Sequence, residues 1–371
     1  MKSPFLGSVI LFCQLLGSSS VYSADATPAA TAPTTSFPAP GPAAAAPAGS
    51  ARGRGPAGPP ATEADKAEMA KLMDLPTYAS SLGDGDYSTG PGYAPAVEEK
   101  RRDDVPHGKI VNFVMDSADS KIFPGNPAFT RKVAVYIPSQ YVPGTPAPLI
   151  VSCDQYGLST NTGVFQNTLD NMIADHRLPA IVAVMIASGG TERSMEYDTV
   201  SAKYAEFVES EVLPRVEKET GVTVTKDPDA RMTYGGSSGG IAAFSMAWFH
   251  PELYHRVVSY SGTFVNLQHS DEVPHGGWEY HENLIAKSPV KPLRIWLEAG
   301  ENDNGAQTAS SAFRNWVIAN KHMAEALKAK GYHYQFVFAK GAGHTDSRTN
   351  QQTIAQALEF VWKDYPITPA K

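Results

Sequence analysis

From about His107 onward, short β-branched or apolar runs alternate with longer segments of helical periodicity, and few architectures accommodate that order. The runs are "KVAVYIP", "PLIVSC", "AIVAVMIA", "RMTY", "RVVSYSG", "LRIWLEAG" and "YQFVFAKG". Between them lie "SAKYAEFVESEVLPRVEKE", "IAAFSMAWFHP", "WVIANKHMAEALKAKG" and "QTIAQALEFVWKDY", whose apolar positions recur at helical spacing. Strands separated by amphipathic helices predict an α/β fold, a mostly parallel central sheet with helices on both faces. Ligands of such sheets bind beyond the carboxyl ends of the strands, so motifs at strand ends carry the functional reading.

Upstream of that pattern the chain reads differently. Residues 1–23 carry a single Lys2, the apolar run "FLGSVILFCQLLG" and a small-residue end, which predicts a secretory signal peptide and hence a secreted or periplasmic protein. Residues 24–61 contain no Leu, Ile or Val and only one aromatic, Phe37, and predict a disordered Ala/Pro-rich tether, because they cannot bury enough apolar surface to offset ordering entropy. Residues 62–106 form an N-terminal extension, with a short helix over "TEADKAEMAKLMDL" and a loop over "SSLGDGDYSTGPGYAP". The "DGD" in that loop lacks EF-hand spacing, so no metal site is assigned to it. Residues 107–366 are expected to form the catalytic-type domain. Beyond the leader, no stretch approaches the roughly 20 apolar residues of a membrane helix, so no transmembrane anchor is expected.

Of the two cysteines, Cys13 falls in the leader, leaving Cys153 alone at the end of an apolar run, where buried packing is the expected role. The formal charge of −7 and the absence of a basic cluster beyond "EKRRDD" argue against a nucleic-acid partner.

The chemistry concentrates in "RMTYGGSSGGIAAFSMAW", residues 231–248. A short strand, a glycine-serine run and a helix of small residues form the context of a nucleophile elbow, the sharp strand-to-helix turn of G-x-S-x-G. Glycine is needed two residues before and after the nucleophile, where side chains would collide. The pattern occurs in two overlapping frames, Gly235–Ser237–Gly239 and Gly236–Ser238–Gly240, and both satisfy the steric rule. Residue pattern alone therefore leaves the choice between Ser237 and Ser238 open. A base for either serine is found at His344, in a glycine-flanked loop after a late strand and just before the last helix.

The stretch "GGSSGGIAAFSMAWFHPELYHRVVSYSGTF" resembles the putative esterase family of α/β-hydrolases, which includes enterochelin esterases, feruloyl esterases, S-formylglutathione hydrolases and mycolyltransferases. The likeness extends over about residues 107–365, with "KGYHYQFVFAKGAGH" similar to the family's final strand and histidine loop. It implies an α/β-hydrolase fold. Laid on the family's G-x-S-x-G-G elbow, the double glycine falls on Gly239 and Gly240, which makes Ser237 the nucleophile. The family's "G-x-x-D" is matched by Gly300 and Asp303, making Asp303 the acid, with Glu301 as runner-up. The oxyanion hole is then expected from the Ser238 N–H and, at the end of "PLIVSCDQYG", the Gln155 N–H, with Tyr156 second and Asp154 bracing the loop. This strand end departs from the family's common "QDG".

Two segments are expected to shape a pocket. In "TERSMEYDT", similar to a family segment near the active-site mouth, Arg193, Glu196 and Tyr197 are candidate substrate contacts, and Asp198 reads as a helix N-cap. In "HGGWEYHENLI", Trp278 and Tyr280 either wall the pocket or pack the insertion onto the domain. The reaction expected of this set is carboxylic ester hydrolysis by a Ser-His-Asp triad through an acyl-enzyme, which needs neither cofactor nor metal. The expected substrates are carbohydrate-linked or aryl esters such as feruloyl or acetyl esters, with a siderophore ester as the alternative. An acyltransferase with the same triad and a non-catalytic binding module are the other classes.

Overall fold

Strand formation follows the apolar runs. In the computed structural model, which describes residues 58–79, 81–154 and 163–367, nine strands form one sheet: β1 (Gly85–Thr89), β2 (Lys109–Asp116), β3 (Thr130–Ile137), β4 (Leu149–Cys153), β5 (Val182–Ile186), β6 (Arg231–Gly236), β7 (Arg256–Tyr260), β8 (Arg294–Asn302) and β9 (His333–Gly343). Their spatial order is β1-β9-β8-β7-β6-β4-β5-β3-β2. Only β3 runs antiparallel to its neighbours β2 and β5; the other pairs are parallel. The predicted signal peptide and most of the predicted tether lie outside the described residues, as do Gln155 and Tyr156.

The central strands β4 to β7 are buried at every position, which is why they read as continuous apolar runs rather than as alternation. Their successive side chains feed two cores. Leu149, Val151, Val184, Val257 and Ile295 pack with the helices Leu213–Thr220, Ser238–Phe249 and Trp316–Lys330 on one face. Ile150, Ala183, Met232, Val258 and Trp296 pack with the helices Val164–Ala174 and Ser347–Trp362 on the other. Burying one such Val or Leu contributes about 1.5–3 kcal/mol, so this double-sided sheet is the main source of stability. Cys153 is buried and free, its Sγ 3.7 Å from Met246 Sδ, and burial holds its thiol well above the usual range.

Two stretches differ from the expectation. Within the segment read as loop, Gly85–Thr89 is an edge strand in register with Gln335–Ala339 of β9. It is pinned from outside its own run through Tyr78, whose N donates to Ser88 O at 2.8 Å and whose Oη donates to Gln335 Oε1 at 2.8 Å and accepts from Trp296 Nε1 at 3.1 Å. At the start of the described chain, residues 58–61 are placed against the residues around Thr308: Ala61 N donates to Gln307 O at 2.9 Å and Ala309 N to Pro59 O at 2.8 Å. The last four residues assigned to the tether are thus part of the folded unit. The helix Glu63–Leu72 follows, with Thr62 and Asp65 closing a capping box. Among the described residues no helix is long and apolar enough to cross a membrane.

Candidate active site

β6 ends at Gly236, Ser237 makes the turn, and the helix Ser238–Phe249 starts at once. Ser237 sits at φ 58° and ψ −126°, a region an L-residue adopts only when its surroundings impose it. The imposing contacts are close. A Cβ on Gly235 would lie 2.1 Å from Gly239 O, and one on Gly239 would lie 2.5 Å from Cys153 O, so neither position tolerates a side chain. These are the glycines two residues either side of Ser237, the frame the family registration chose. Ser237 N donates to Tyr260 O at 2.9 Å, and Thr263 N donates to Ser237 O at 3.1 Å, which fixes the turn from the β7 side.

β9 runs to Gly343 and delivers His344 beside this serine. His344 Nε2 is 2.7 Å from Ser237 Oγ, and its Nδ1 is 2.5 Å from Asp303 Oδ1. A carboxylate at Nδ1 keeps the proton there, so Nε2 is free to accept from the Ser237 hydroxyl. Asp303 follows the last residue of β8 directly, is buried, and also accepts from Asn304 N at 2.7 Å. The next residue holds the histidine loop, Thr345 N donating to Ser261 Oγ at 3.0 Å, while Trp316 stands edge-on to the imidazole with ring centroids 5.9 Å apart. Glu301, the runner-up acid, is committed elsewhere: its Oε2 accepts from Gly341 N at 2.7 Å.

Ser238 faces another network. Its Oγ donates to Asp198 Oδ2 at 3.0 Å and accepts from Arg193 Nη1 at 2.9 Å. Its amide opens a 12-residue helix, and an N–H in the first turn has no partner within the helix, so the dipole and the free donor both favour an anion there. Gln155, named for the second donor, lies outside the described residues.

The remaining candidates are placed less favourably for substrate. Glu196 is 3% exposed and is bidentate to Arg131, Oε2 to Nη1 at 2.9 Å and Oε1 to Nη2 at 2.6 Å, so it is a buried brace and offers no atom to a ligand. Tyr197 is buried, packed edge-on to Tyr204 with the Arg193 guanidinium 5.9 Å above its ring. Asp198 closes the short helix Arg193–Tyr197 at its C-terminal end; it is no N-cap, because the chain turns once more before the next helix begins at Lys203. Burial pushes its carboxyl up to about 6, against the donors Ser194 and Ser238. Trp278 packs edge-on to His281, Phe313 and His322, and Tyr280 is buried with its Oη 2.7 Å from Ser245 Oγ, so the insertion aromatics bind it to the domain. Sequence reasoning did not find the polar role of Ser261, the place of Trp316 beside His344, or the tie between Asp198 and Ser238. Each depends on contacts between segments far apart in the chain.

With the geometry in place, comparison with known proteins is decisive for the family. Residues 128–360, more than half of the chain, match the family model described as Putative esterase. The chain belongs to that family. Iron(III) enterobactin esterase of Dickeya dadantii is 28% identical over 202 residues, 52% of this chain and 43% of that protein. The chain therefore spans less than half of that curated relative. Among solved structures, the enterobactin esterase FES of Shigella flexneri superposes with a TM-score of 0.51 at 21% identity, over 71% of this chain and 61% of that one. A ferulic acid esterase superposes with a TM-score of 0.52 at 18% identity, over 70% of this chain and 98% of the other. These likenesses establish the α/β-hydrolase fold, and family membership with esterases among the relatives supports a carboxylic ester hydrolase.

Proposed function

We propose that this chain is an exported serine carboxylic-ester hydrolase in which Ser237, His344 and Asp303 act as the triad. The observation that carries the reading is the unbroken chain Ser237 Oγ, His344 Nε2, His344 Nδ1, Asp303 Oδ1, at 2.7 and 2.5 Å, on a serine held in an elbow conformation. Ser237 Oγ attacks the ester carbonyl carbon while its proton passes to His344 Nε2. The carbonyl oxygen becomes an oxyanion, for which the Ser238 N–H at the helix start is the proposed donor. Asp303 keeps the imidazole in the working tautomer and stabilises the imidazolium. Collapse of the tetrahedral adduct expels the alcohol, which takes the proton from His344 and leaves an acyl group on Ser237. Water, deprotonated by His344, then attacks the acyl carbon and releases the acid. No step needs a cofactor or a metal.

Carbohydrate-linked or aryl esters, feruloyl or acetyl, are the proposed substrates; export inferred from the leader and the feruloyl esterases of the same fold support this. The second reading is a siderophore ester, favoured by the identity to the Dickeya enterobactin esterase. Stopped-flow hydrolysis of 4-nitrophenyl acetate tests the acyl-enzyme: a burst of nitrophenol stoichiometric with enzyme is expected, and is absent in Ser237→Ala. Methyl ferulate, acetylated xylo-oligosaccharide and a catechol trilactone, compared by kcat/KM, separate the substrate classes. Product analysis with added alcohols separates hydrolysis from acyl transfer.

A further inference from the structure

Arg193 joins two elements that meet beneath the nucleophile. Its Nε donates to Asp154 Oδ2 at 2.6 Å, its Nη2 lies 2.5 Å from the same oxygen, and its Nη1 donates to Ser238 Oγ at 2.9 Å. Asp154 is the residue after β4 and holds the unusual φ of 61°. β4 itself abuts the elbow helix, since a Cβ on Gly239 would lie 2.5 Å from Cys153 O. Opposite the guanidinium, Ser238 Oγ donates to Asp198 Oδ2 at 3.0 Å, and Ser194 Oγ donates to the same oxygen at 2.7 Å while accepting from Gln268 Nε2 at 3.0 Å. Asp198 is 1% exposed. The side chain of the residue after the nucleophile is therefore fixed on two sides, by a cation from one and a buried carboxyl from the other.

This arrangement is poorly suited to capturing an anionic substrate. Each guanidinium nitrogen of Arg193 is already engaged, Nε and Nη2 with Asp154 and Nη1 with Ser238, and its charge faces Asp154 and Asp198. It is well suited to holding geometry. An oxyanion donor works only if it is preorganised where charge develops, and small displacements of such a donor are costly. Resting on the serine-esterase reading above, we propose that Arg193 is a positioning residue: it locks the end of β4 to Ser238 and so sets the Ser238 N–H for the oxyanion, instead of binding substrate.

The test uses the full chain, with Arg193→Ala and Arg193→Lys compared with the parent on 4-nitrophenyl acetate and on an anionic 4-nitrophenyl hemisuccinate. In Arg193→Ala, kcat is expected to fall about 10²-fold on both esters with KM moved less than about threefold, the pattern of a lost transition-state interaction. Millimolar guanidinium is expected to restore part of that kcat. Arg193→Lys, which has one point charge and no fork, is expected to fall between the two. Should Arg193→Ala lack a cooperative thermal transition, Arg193→Lys carries the same reading by its split of kcat from KM. An unchanged kcat, a rise in KM confined to the anionic ester, or a kcat loss that neither guanidinium nor lysine relieves would overturn the proposal. Failure of the parent protein to hydrolyse either ester, or full activity in Ser237→Ala, would defeat the esterase reading instead, so the two failures are told apart.

Discussion

Ser237 and Ser238 are consecutive, yet their hydroxyls belong to separate networks: Ser237 Oγ is 2.7 Å from His344 Nε2, and Ser238 Oγ donates to Asp198 Oδ2 at 3.0 Å. The backbone accounts for the difference. Ser237 occupies the positive-φ corner and Ser238 begins the helix, so one step along the chain turns the side chain from the histidine to the Arg193–Asp198 side. The two overlapping G-x-S-x-G frames are equivalent as patterns and inequivalent as structures.

Ser238→Ala is accordingly expected to retain the Ser237–His344 contact, to lose stability, and, because the Arg193 anchor on its Oγ is gone, to lose kcat about as far as Arg193→Ala does and far less than Ser237→Ala. Loss of the Ser238 hydroxyl removes one of two donors to a buried carboxyl and one acceptor of Arg193, at a cost of about 1–3 kcal/mol. Denaturant unfolding of Ser238→Ala beside the parent, with kcat measured on the folded fraction, checks it. A kcat loss as large as that of Ser237→Ala would show that the frame has been assigned to the wrong serine.

Glu196 and Arg131 form a buried bidentate pair. Removing one partner leaves the other charge buried alone, so Glu196→Gln is expected to cost about 3–5 kcal/mol. KM for a small neutral ester should stay within about twofold, since uniform substrate binding is untouched. Thermal melts and steady-state kinetics read the two effects separately; a raised KM at unchanged stability would restore Glu196 to the substrate pocket.

Much of the fold was legible because β4 to β7 are buried on both faces, and burial writes itself as apolar runs. β1 was not, because "GDYST" carries glycine and aspartate and owes its place to Tyr78, Gln335 and Trp296. The serine, acid and histidine were readable from strand ends and family registration, and the structure brings the three together. Glu196 and Tyr197 were read as ligand contacts because polar or aromatic residues near a site suggest one. The partner of Glu196, Arg131, lies 65 residues away, and Tyr197 instead packs on Tyr204 seven residues on, while for Trp278 the structure shows the packing alternative, against Phe313.

Glu298 lies on β8, five residues before Asp303, fully buried, with Oε1 lacking a partner among the described residues and Oε2 3.5 Å from Ser261 Oγ. Burial first, and the Asp303 charge second, push its carboxyl well above the usual range, which favours the neutral acid there. An amide has the same shape and charge as that neutral acid. Glu298→Gln should therefore match the parent in kcat/KM within a few-fold and leave its pH profile unmoved. A displaced acidic limb would mean that Glu298 is ionised beneath the triad.

Glu99 supplies a pH dependence of stability. Burial, with the charge of Glu98 beside it, pushes its carboxyl up to about 7 from an ordinary 4.5. The folded state thus binds more protons than the unfolded state between those values, so this residue's contribution to stability declines as pH rises from about 4.5 through about 7. A tenfold difference in proton affinity between the folded and unfolded states corresponds to about 1.4 kcal/mol, and solvent screening at a partly solvated carboxyl reduces the total. Glu99→Gln is therefore expected to gain about 1–2 kcal/mol over the parent at pH 8 and nothing at pH 4. Urea midpoints at the two pH values check it; an equal gain at both would assign the effect to something other than titration.

The most direct test of the central claim is fluorophosphonate labelling of the folded full chain, followed by peptide mass mapping across Arg231 to His250. One adduct per chain on Ser237, absent in Ser237→Ala, strongly slowed in His344→Ala and retained in Ser238→Ala, is the predicted result. An adduct on Ser238, or none on folded protein, would contradict the assignment of Ser237 as the nucleophile.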